Sequence, residues 1–395
     1  SINLIFIMNV NPLIYDPLNP EYRLQSKTCT LNPSIGVEIE SNIVSGLSRS
    51  IISNVDLPES FDYEIDPSVV EFNGVVLKDL SPESLSSYMR SNLKQIIQFA
   101  ESENSIITPF GICPLADNAE HVVRVEDYLD NHPSSSYQKL MERDSGLTTL
   151  LTGSSSIQCH IEQTNYDSIV NQNIAHSIFA PFLVSLFANS IVFDGKLTQH
   201  PSSRMYNKMQ MNFSGSLSIE HLLAGPDVAR VHFMDLCSKL SSISPGYYLV
   251  RYFRPDLGTI ENCTADFQLN IDNFLLFVRL CREISLLSFD SDYIQKLICF
   301  NDNFSSTQYL NYLTNSLNNS NFNLLDDFNF RFLLSTLSDD SLYSDVLNLA
   351  RYPQWRESQS FLENKGVSSF NPKIDSDLMY SYINNFYSEL RSSVF

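Results

Sequence analysis

The chain is poor in basic residues. It has 25 Lys and Arg against 45 Asp and Glu among its 395 residues, which gives a formal net charge of −20 and an isoelectric point near 4.6. Proteins that bind duplex nucleic acid neutralise phosphates with clustered Lys and Arg, and this sequence contains no long basic run. The composition therefore argues against nucleic acid as a partner.

Paired cysteine motifs are also missing. The seven cysteines are scattered along the chain, and none follows the C-x-x-C spacing. This pattern does not support a zinc ribbon or a redox-active dithiol. An odd number of scattered thiols suits a reducing compartment better than a disulfide framework, so we predict a cytoplasmic protein with free thiols.

No apolar run is long enough to span a bilayer, which needs about 20 residues. Residues 178–193 are apolar but include Pro181 and Asn189, and they are predicted to form a buried core helix. Residues 2–10 lack a basic leader and a small-residue cleavage site, and Pro12 follows them, so a first strand is expected rather than a signal peptide. No membrane partner is expected.

The pattern of apolar residues predicts an α+β protein. Segments that are short, rich in Val, Ile, Tyr or Phe and bounded by Gly, Pro or Asp are typical of strands, and they lie at residues 35–40, 63–72, 156–162, 247–253 and 258–263. Helical spacing of apolar residues predicts helices at 82–103, 169–188, 227–240 and 270–287, and an almost wholly helical chain from 288 onward. An antiparallel sheet with helices on its outer side is the natural arrangement.

One predicted strand carries a pair of carboxylates. Residues 36–40 read GVEIE, and because strand side chains alternate between faces, Glu38 and Glu40 point the same way, roughly 6.5–7 Å apart. Two such acids facing a cavity attract a divalent cation, since Mg²⁺ or Mn²⁺ keeps both ionised. An exposed edge strand with two ordinary surface acids remains the alternative for this motif alone.

Other predicted strands present further acids. Glu64 and Glu71 lie in the second strand, Gln158 and His160 alternate in the third, and Glu261 follows in the last. A single acid in a strand is usually solvated. Four strands that each present an acid or a histidine beside apolar neighbours favour a shared polar cavity.

Taken in order, these segments resemble the glutamate–cysteine ligase family, in particular its bacterial type 2 carboxylate–amine ligases. The resemblance covers about residues 35–266, and its specificity comes from the shared order of short blocks rather than from any one of them. The blocks are GVEIE at 36–40, Glu71, GICP at 111–114, Tyr137 with Gln138, QCHI at 158–161, LVSLFANS at 183–190, Asp194 with Gly195, Ser203 with Arg204, Arg254 with Pro255, TIE at 259–261 and Asp266.

The resemblance implies a glutamine-synthetase-like fold, in which an antiparallel sheet curls into a funnel. Residues 1–287 would form the catalytic domain, and residues 288–395 a helical region packed on it. The implied reaction is ATP-dependent amide formation from a small carboxylic acid and an amine, free or carried on a peptide or carrier. The acid attacks the γ-phosphate, and the amine then displaces phosphate from the acyl phosphate. Magnesium or manganese held by carboxylates, together with arginines, would neutralise the phosphates.

The resemblance also implies residue roles. The metal ligands would be Glu38, Glu40, Glu71, Glu261 and His160, with Glu64 as a weaker candidate. His160 would touch a metal or the phosphates of ATP. Arg204 and Arg254 would bind phosphate or a substrate carboxylate as catalytic and cofactor-binding residues, because a guanidinium forms bidentate bonds to such groups; a structural ion pair is the alternative for each. Asn189 and Ser203 would line the substrate end or cap helices.

Three positions depart from the family pattern. Gln158 replaces the first histidine of the family's His-x-His strand, Cys113 replaces the histidine of a Gly-Thr-His-Pro block, and Cys263 stands where an arginine commonly follows Glu-x. Loss of that arginine affects recognition of a substrate carboxylate, so the acid is expected to be less charged or bulkier than free glutamate. The alternative is that another arginine, such as Arg251 or Arg254, has taken over the contact.

Three interpretations stay open. The chain is either an active ligase or a noncatalytic relative whose funnel is a scaffold and whose C-terminal helices bind a protein. A kinase-like phosphoryl transferase or a nucleotidyl transferase with the same metal site is a third candidate. Binding of ATP and Mg²⁺ separates the first two.

Overall fold

The structure is a computed structural model, and it describes most of the chain from residue 33 onward. The described ranges are 33–52, 56–63, 68–78, 80–115, 153–162, 166–210, 223–225, 227–228, 231, 250–254, 259–301, 311, 314–317, 324–337, 339–368 and 373–395. The side chains of residues 63, 166–169, 209–210 and 250–254 lie outside this description.

Among the described residues, strands and helices are interspersed up to residue 266, and helices follow from residue 271. The strands are β1 (Ile35–Ser45), β2 (Phe61–Tyr63), β3 (Val69–Asn73), β4 (Ser105–Ile107), β5 (Ser156–Glu162), β6 (Val192–Phe193), β7 (Lys196–Leu197), β8 (Val250–Arg254) and β9 (Thr259–Asp266). The helices are α1 (Pro82–Ser102), α2 (Tyr166–Leu186), α3 (Ser203–Gln210), α4 (Ile271–Leu287), α5 (Ser291–Phe300), α6 (Phe328–Thr336), α7 (Asp340–Arg351), α8 (Gln354–Glu363) and α9 (Ser376–Val394), with a 3₁₀ turn at Leu324–Asp326.

Seven strands form one antiparallel sheet. Its order is β2-β3-β1-β5-β9-β8, and β4 pairs with the far end of β1. Strand β1 is central and long enough to pair with β3, β4 and β5. Strands β5 and β9 are neighbours although about 100 residues separate them in sequence. Three strands distant in sequence therefore lie side by side at the centre of the sheet.

The two faces of the central strands differ in chemistry. Val37 and Ile39 of β1 and Ile161 of β5 belong to the hydrophobic core, and helices α2 and α4 pack on this side. The opposite face carries the polar side chains of the same strands, as the alternation of strand side chains requires. The core therefore fixes where the polar residues point.

The C-terminal helices pack on the sheet-bearing part of the chain. Arg90 on α1 donates to the carbonyl oxygens of Ser393 and Val394 at 2.7 and 2.8 Å, and the Leu269 backbone N–H donates to Gln354 Oε1 at 2.8 Å. Phe110 stacks on Tyr382 of α9, with ring centroids 4.6 Å apart. The division at residue 287 remains a prediction, although α4 ends there.

The predicted mixture of helices and antiparallel strands is confirmed. Strand β5 has the predicted bounds, β1 is five residues longer than predicted, and the predicted strand 63–72 is two strands, β2 and β3, on either side of residues 64–67. Most of the predicted helix 227–240 and the predicted strand at 2–10 lie outside the described residues. The curling of the sheet into a funnel remains a prediction. Among the described residues, no helix combines the length and apolarity that a membrane crossing needs.

A buried histidine ties the helices to the back of the sheet. His176 on α2 accepts a hydrogen bond from Asn262 Nδ2 of β9 at Nδ1 (3.1 Å), and its Nε2 lies 2.8 Å from Ser285 Oγ of α4. Burial lowers the pKa of His176 to about 3, because the charged form loses its hydration. The folded protein therefore holds a neutral imidazole here.

This histidine should make the fold sensitive to acid. An unfolded chain protonates His176 near pH 6.5 and the folded chain only near 3, so stability is full above 6.5 and falls as the pH drops between these values. From pH 7 to pH 5 the loss from this residue should be about 2 kcal/mol. Urea unfolding of the unmodified chain and of His176→Gln at both pH values measures it. Parallel losses in the two proteins would contradict the prediction.

Candidate metal centre

Three polar side chains from three adjacent strands meet on one face of the sheet. They are Glu38 of β1, His160 of β5 and Glu261 of β9. His160 lies opposite Gly36 on one side and Glu261 on the other. His160 Nε2 is 3.1 Å from Glu38 Oε1 and 4.0 Å from Glu261 Oε2. The strand order thus brings together three of the six predicted metal ligands.

The cluster is buried. Glu261 is 0% exposed, His160 4% and Glu38 9%. A buried carboxylate is costly unless a cation or hydrogen bonds compensate it. Two occupants suit this geometry: a proton that makes His160 an imidazolium between the carboxylates, or a divalent cation that all three side chains bind.

The donor set suits a divalent cation. One ligand atom from each of the three residues can be chosen so that all lie within 4.8 Å of one another. Two carboxylate oxygens and one imidazole nitrogen match the ligands of Mn²⁺ and other first-row metals, and the oxygens match those of Mg²⁺.

The second nitrogen of His160 supports this interpretation. His160 Nδ1 lies 3.2 Å from Thr259 Oγ1, at the start of β9. When Nδ1 carries the proton and donates it to this hydroxyl, Nε2 presents its lone pair to the carboxylates. Metal-binding histidines are commonly held by such a bond from their other nitrogen.

Glu40 and Glu71 form a neighbouring acidic pair. They lie directly opposite each other on β1 and β3, so their Cβ atoms are about 5 Å apart. Glu40 accepts hydrogen bonds from Ser156 Oγ at 2.6 Å and from Gln158 Nε2. The Gln158 side chain thus donates to a carboxylate of this acidic pair.

Cys263 contacts one member of the cluster, Glu261. Its thiol donates to Glu261 Oε1 at 2.9 Å, and Gln158 Oε1 lies 3.6 Å away. From the sequence, Cys263 and Gln158 were expected only as losses from the site. In the structure Cys263 donates to Glu261 and Gln158 donates to Glu40. The sequence did contain a signal for these contacts. Gln158 is two residues from His160, and Cys263 is two residues from Glu261, so each pair lies on one face of its strand.

Arg204 lies in a second buried cluster, around Asp266. Its side chain is 0% exposed, and Nε donates to Asp266 Oδ1 at 2.7 Å. Nη2 donates to the carbonyl oxygen of Cys263 at 3.1 Å. Nη1 has no hydrogen-bond partner among the described residues. The ion pair anticipated as an alternative for Arg204 is therefore present.

Several residues of the family resemblance converge on Asp266. Its Oδ2 accepts from the Asn189 backbone N–H and from Ser190 Oγ, both at 2.7 Å, and its Oδ1 accepts from Ser202 Oγ at 2.9 Å. A Cβ atom at Gly111 would overlap the Asp266 carboxyl group. Gly111 and Asn189 thus have structural roles in this cluster.

The remaining predicted residues are only partly described. Arg254 lies in β8 with its backbone opposite Thr259, and its side chain is outside the description. Glu64 lies outside the described residues. Ser203 begins α3, and its hydroxyl is 2.9 Å from Thr198 Oγ1.

Comparisons with known proteins reveal a likeness in structure. No protein-family model matches the chain, and no curated protein matches its sequence significantly. The crystal structure of a bifunctional glutathione synthetase from Pasteurella multocida matches with a TM-score of 0.57 and 14% identity, over 91% of this chain and 52% of that chain. This chain therefore spans about half the length of that enzyme, and the likeness is one of fold.

A second solved structure is a glutamate–cysteine ligase from Francisella tularensis in complex with AMP. The match covers 92% of this chain and 99% of that chain, at 10% identity and a TM-score of 0.28. A TM-score this low supports no structural conclusion.

Proposed function

We propose that the chain is an ATP-dependent carboxylate–amine ligase that forms an amide bond of the γ-glutamyl type or a related one. The observation that carries the proposal is the buried cluster of Glu38, His160 and Glu261, whose ligand atoms suit a divalent cation. The fold likeness to a bifunctional glutathione synthetase supports it, as does the order of sequence blocks. The reaction would take place in the cytoplasm on small, amino-acid-like substrates.

In this proposal Glu38, His160 and Glu261 hold Mg²⁺ or Mn²⁺. The bound ion supplies charge neutralisation for the phosphates of ATP. Glu40 on β1 and Glu71 on the neighbouring β3 would supply further carboxylates for a second ion. Glu64 is retained as a weaker ligand candidate.

The arginines would bind anionic groups. Arg254 on β8, the strand that pairs with β9, would contact phosphate or the substrate carboxylate, because a planar guanidinium matches both. For Arg204, two side-chain nitrogens are engaged by Asp266 and Cys263. Its Nη1 is the group that would remain for a bound anion.

The proposed chemistry has two steps. A carboxylate oxygen of the acid attacks the γ-phosphorus, and ADP leaves with the electrons of the broken phosphoanhydride bond. The amine then attacks the acyl carbon, loses a proton, and displaces inorganic phosphate. Each amide formed therefore consumes one ATP and yields one ADP and one phosphate.

Product analysis tests this proposal. The full chain is incubated with ATP, Mg²⁺ or Mn²⁺ and a panel of acids and amines, and the nucleotides are separated by chromatography. We expect ADP and phosphate in equal amounts, dependent on one acid and one amine. AMP with pyrophosphate would contradict the acyl-phosphate route. Binding of neither nucleotide nor metal would favour the scaffold alternative.

The same panel addresses the acid. Cys263 offers a neutral thiol where the family commonly has an arginine, so uncharged or larger acids should stimulate turnover more than free glutamate. If glutamate with cysteine is the best pair by a wide margin, the specificity inference is wrong while the ligase assignment stands.

A further inference from the structure

We propose that Cys263 is a positioning residue for Glu261, the candidate metal ligand, and this inference rests on the proposed function. The two residues are two apart on β9, so their side chains point to the same face of the sheet. The thiol donates to Glu261 Oε1 at 2.9 Å. The other carboxylate oxygen, Oε2, is the one that lies 4.0 Å from His160 Nε2.

The bond to the thiol fixes the rotation of the Glu261 carboxylate. With Oε1 held by Cys263, Oε2 is directed at the imidazole. The whole arrangement is closed to solvent, since Glu261 is 0% exposed and Cys263 1%. Groups that orient metal ligands in this way commonly change metal affinity when they are removed.

Cys263 is itself held at its backbone. Its carbonyl oxygen accepts from Arg204 Nη2 at 3.1 Å, and Arg204 Nε pairs with Asp266 at 2.7 Å. The buried Asp266 cluster therefore anchors β9 at the residue whose thiol contacts Glu261. Arg204 acts on the metal centre through this carbonyl oxygen.

The charge of the donor also matters. A thiol is a neutral donor, so it orients the carboxylate without cancelling its charge. A guanidinium at this position would pair with Glu261 and compete with a divalent cation for the same oxygens. The thiol thus adds no competing cation at residue 263, which gives the departure at this position a role beyond the loss of an arginine.

Mn²⁺ binding to the full chain tests the inference. Free Mn²⁺ is measured by electron paramagnetic resonance for the unmodified chain and for four variants. Cys263→Ala and Cys263→Val remove the donor, one with a smaller and the other with a larger side chain than cysteine. Cys263→Ser keeps a donor. Cys299→Ala is the matched control, because Cys299 is exposed on α5.

We expect the two donor-free variants to bind Mn²⁺ roughly 10- to 100-fold more weakly than the unmodified chain. Serine should restore the affinity to within about threefold, and Cys299→Ala should change nothing. Circular dichroism confirms that each variant is folded, so a loss that serine reverses is not a loss of structure. Unchanged Mn²⁺ affinity in either folded donor-free variant would overturn the inference and leave the metal centre standing. Failure of the unmodified chain to bind Mn²⁺ would overturn the proposed centre, and this inference with it.

Discussion

Replacing Glu261 with Gln should lower ATP-dependent turnover by roughly 10²- to 10⁴-fold. The charge that the side chain would contribute to a cation is worth several kcal/mol in the transition state, and each 1.4 kcal/mol is a factor of ten in rate. Glu38→Gln should have a similar effect, since Glu38 contacts the same imidazole. Glu59→Gln, at an exposed acid outside the cluster, is the control and should keep the unmodified rate.

The stability of these variants distinguishes the two occupants of the cluster. If a cation normally joins the carboxylates, Glu261→Gln removes one of two repelling charges from the cation-free protein, and stability should stay constant or rise. If a proton on His160 joins them, the substitution breaks a buried ion pair and should cost about 3–5 kcal/mol. Urea unfolding with a metal chelator present separates these outcomes.

Turnover near the unmodified rate in Glu261→Gln or Glu38→Gln would contradict the assignment of these residues as metal ligands.

The sequence predicted the central strands well because their pattern is local. In β1 and β5 the alternation of apolar and polar residues follows directly from the pleat, and it placed Glu38 and His160 on polar faces. Helix α2 was harder to delimit. Its buried stretch is apolar almost all round and includes Pro181, so its periodicity marked a helix but not its ends, which differ from the predicted 169–188 by two or three residues. The prediction that the apolar run 178–193 is helical throughout is wrong, because the helix ends at Leu186 and residues 192–193 form β6.

The site itself depends on which strands are neighbours, and this is not a local property. Alternation shows that Glu38 and Glu261 face away from the core, but not that β5 lies between β1 and β9. The family resemblance supplied that grouping as an expectation. The resemblance did not identify the side chains that donate hydrogen bonds to Glu40. These are Ser156 and Gln158, and no spacing rule distinguishes them from ordinary polar residues of a strand.

Arg204 illustrates the same limit. A motif match predicted an anion-binding role, whereas its ion pair with Asp266 joins residues 62 apart in sequence. Only the packing of α3 against the end of β9 brings them together. An arginine in a sequence motif therefore predicts that an anionic partner lies nearby. Whether that partner is a bound ligand or an aspartate of the same chain depends on the fold.

The Asp266 cluster should be among the most sensitive points of the fold. Asp266→Asn should lower the free energy of unfolding by about 3–5 kcal/mol, because it removes the anion from a fully buried guanidinium. Arg204→Met should cost less, since the remaining carboxylate keeps hydrogen bonds from Asn189, Ser190 and Ser202.

Urea denaturation of both single variants and the double variant measures this asymmetry. Because the two residues share one ion pair, the cost of the double variant should be smaller than the sum of the two single costs. Glu103→Gln, at an exposed acid, should change stability by no more than about 0.5 kcal/mol. Additive costs would contradict the ion pair, because they would mean that the two residues do not interact. If instead Arg204→Met proved as costly as Asp266→Asn, the hydrogen bonds that the serines and the Asn189 amide donate would not compensate the carboxylate. The anchor of β9 at Cys263 would then depend equally on both members of the pair.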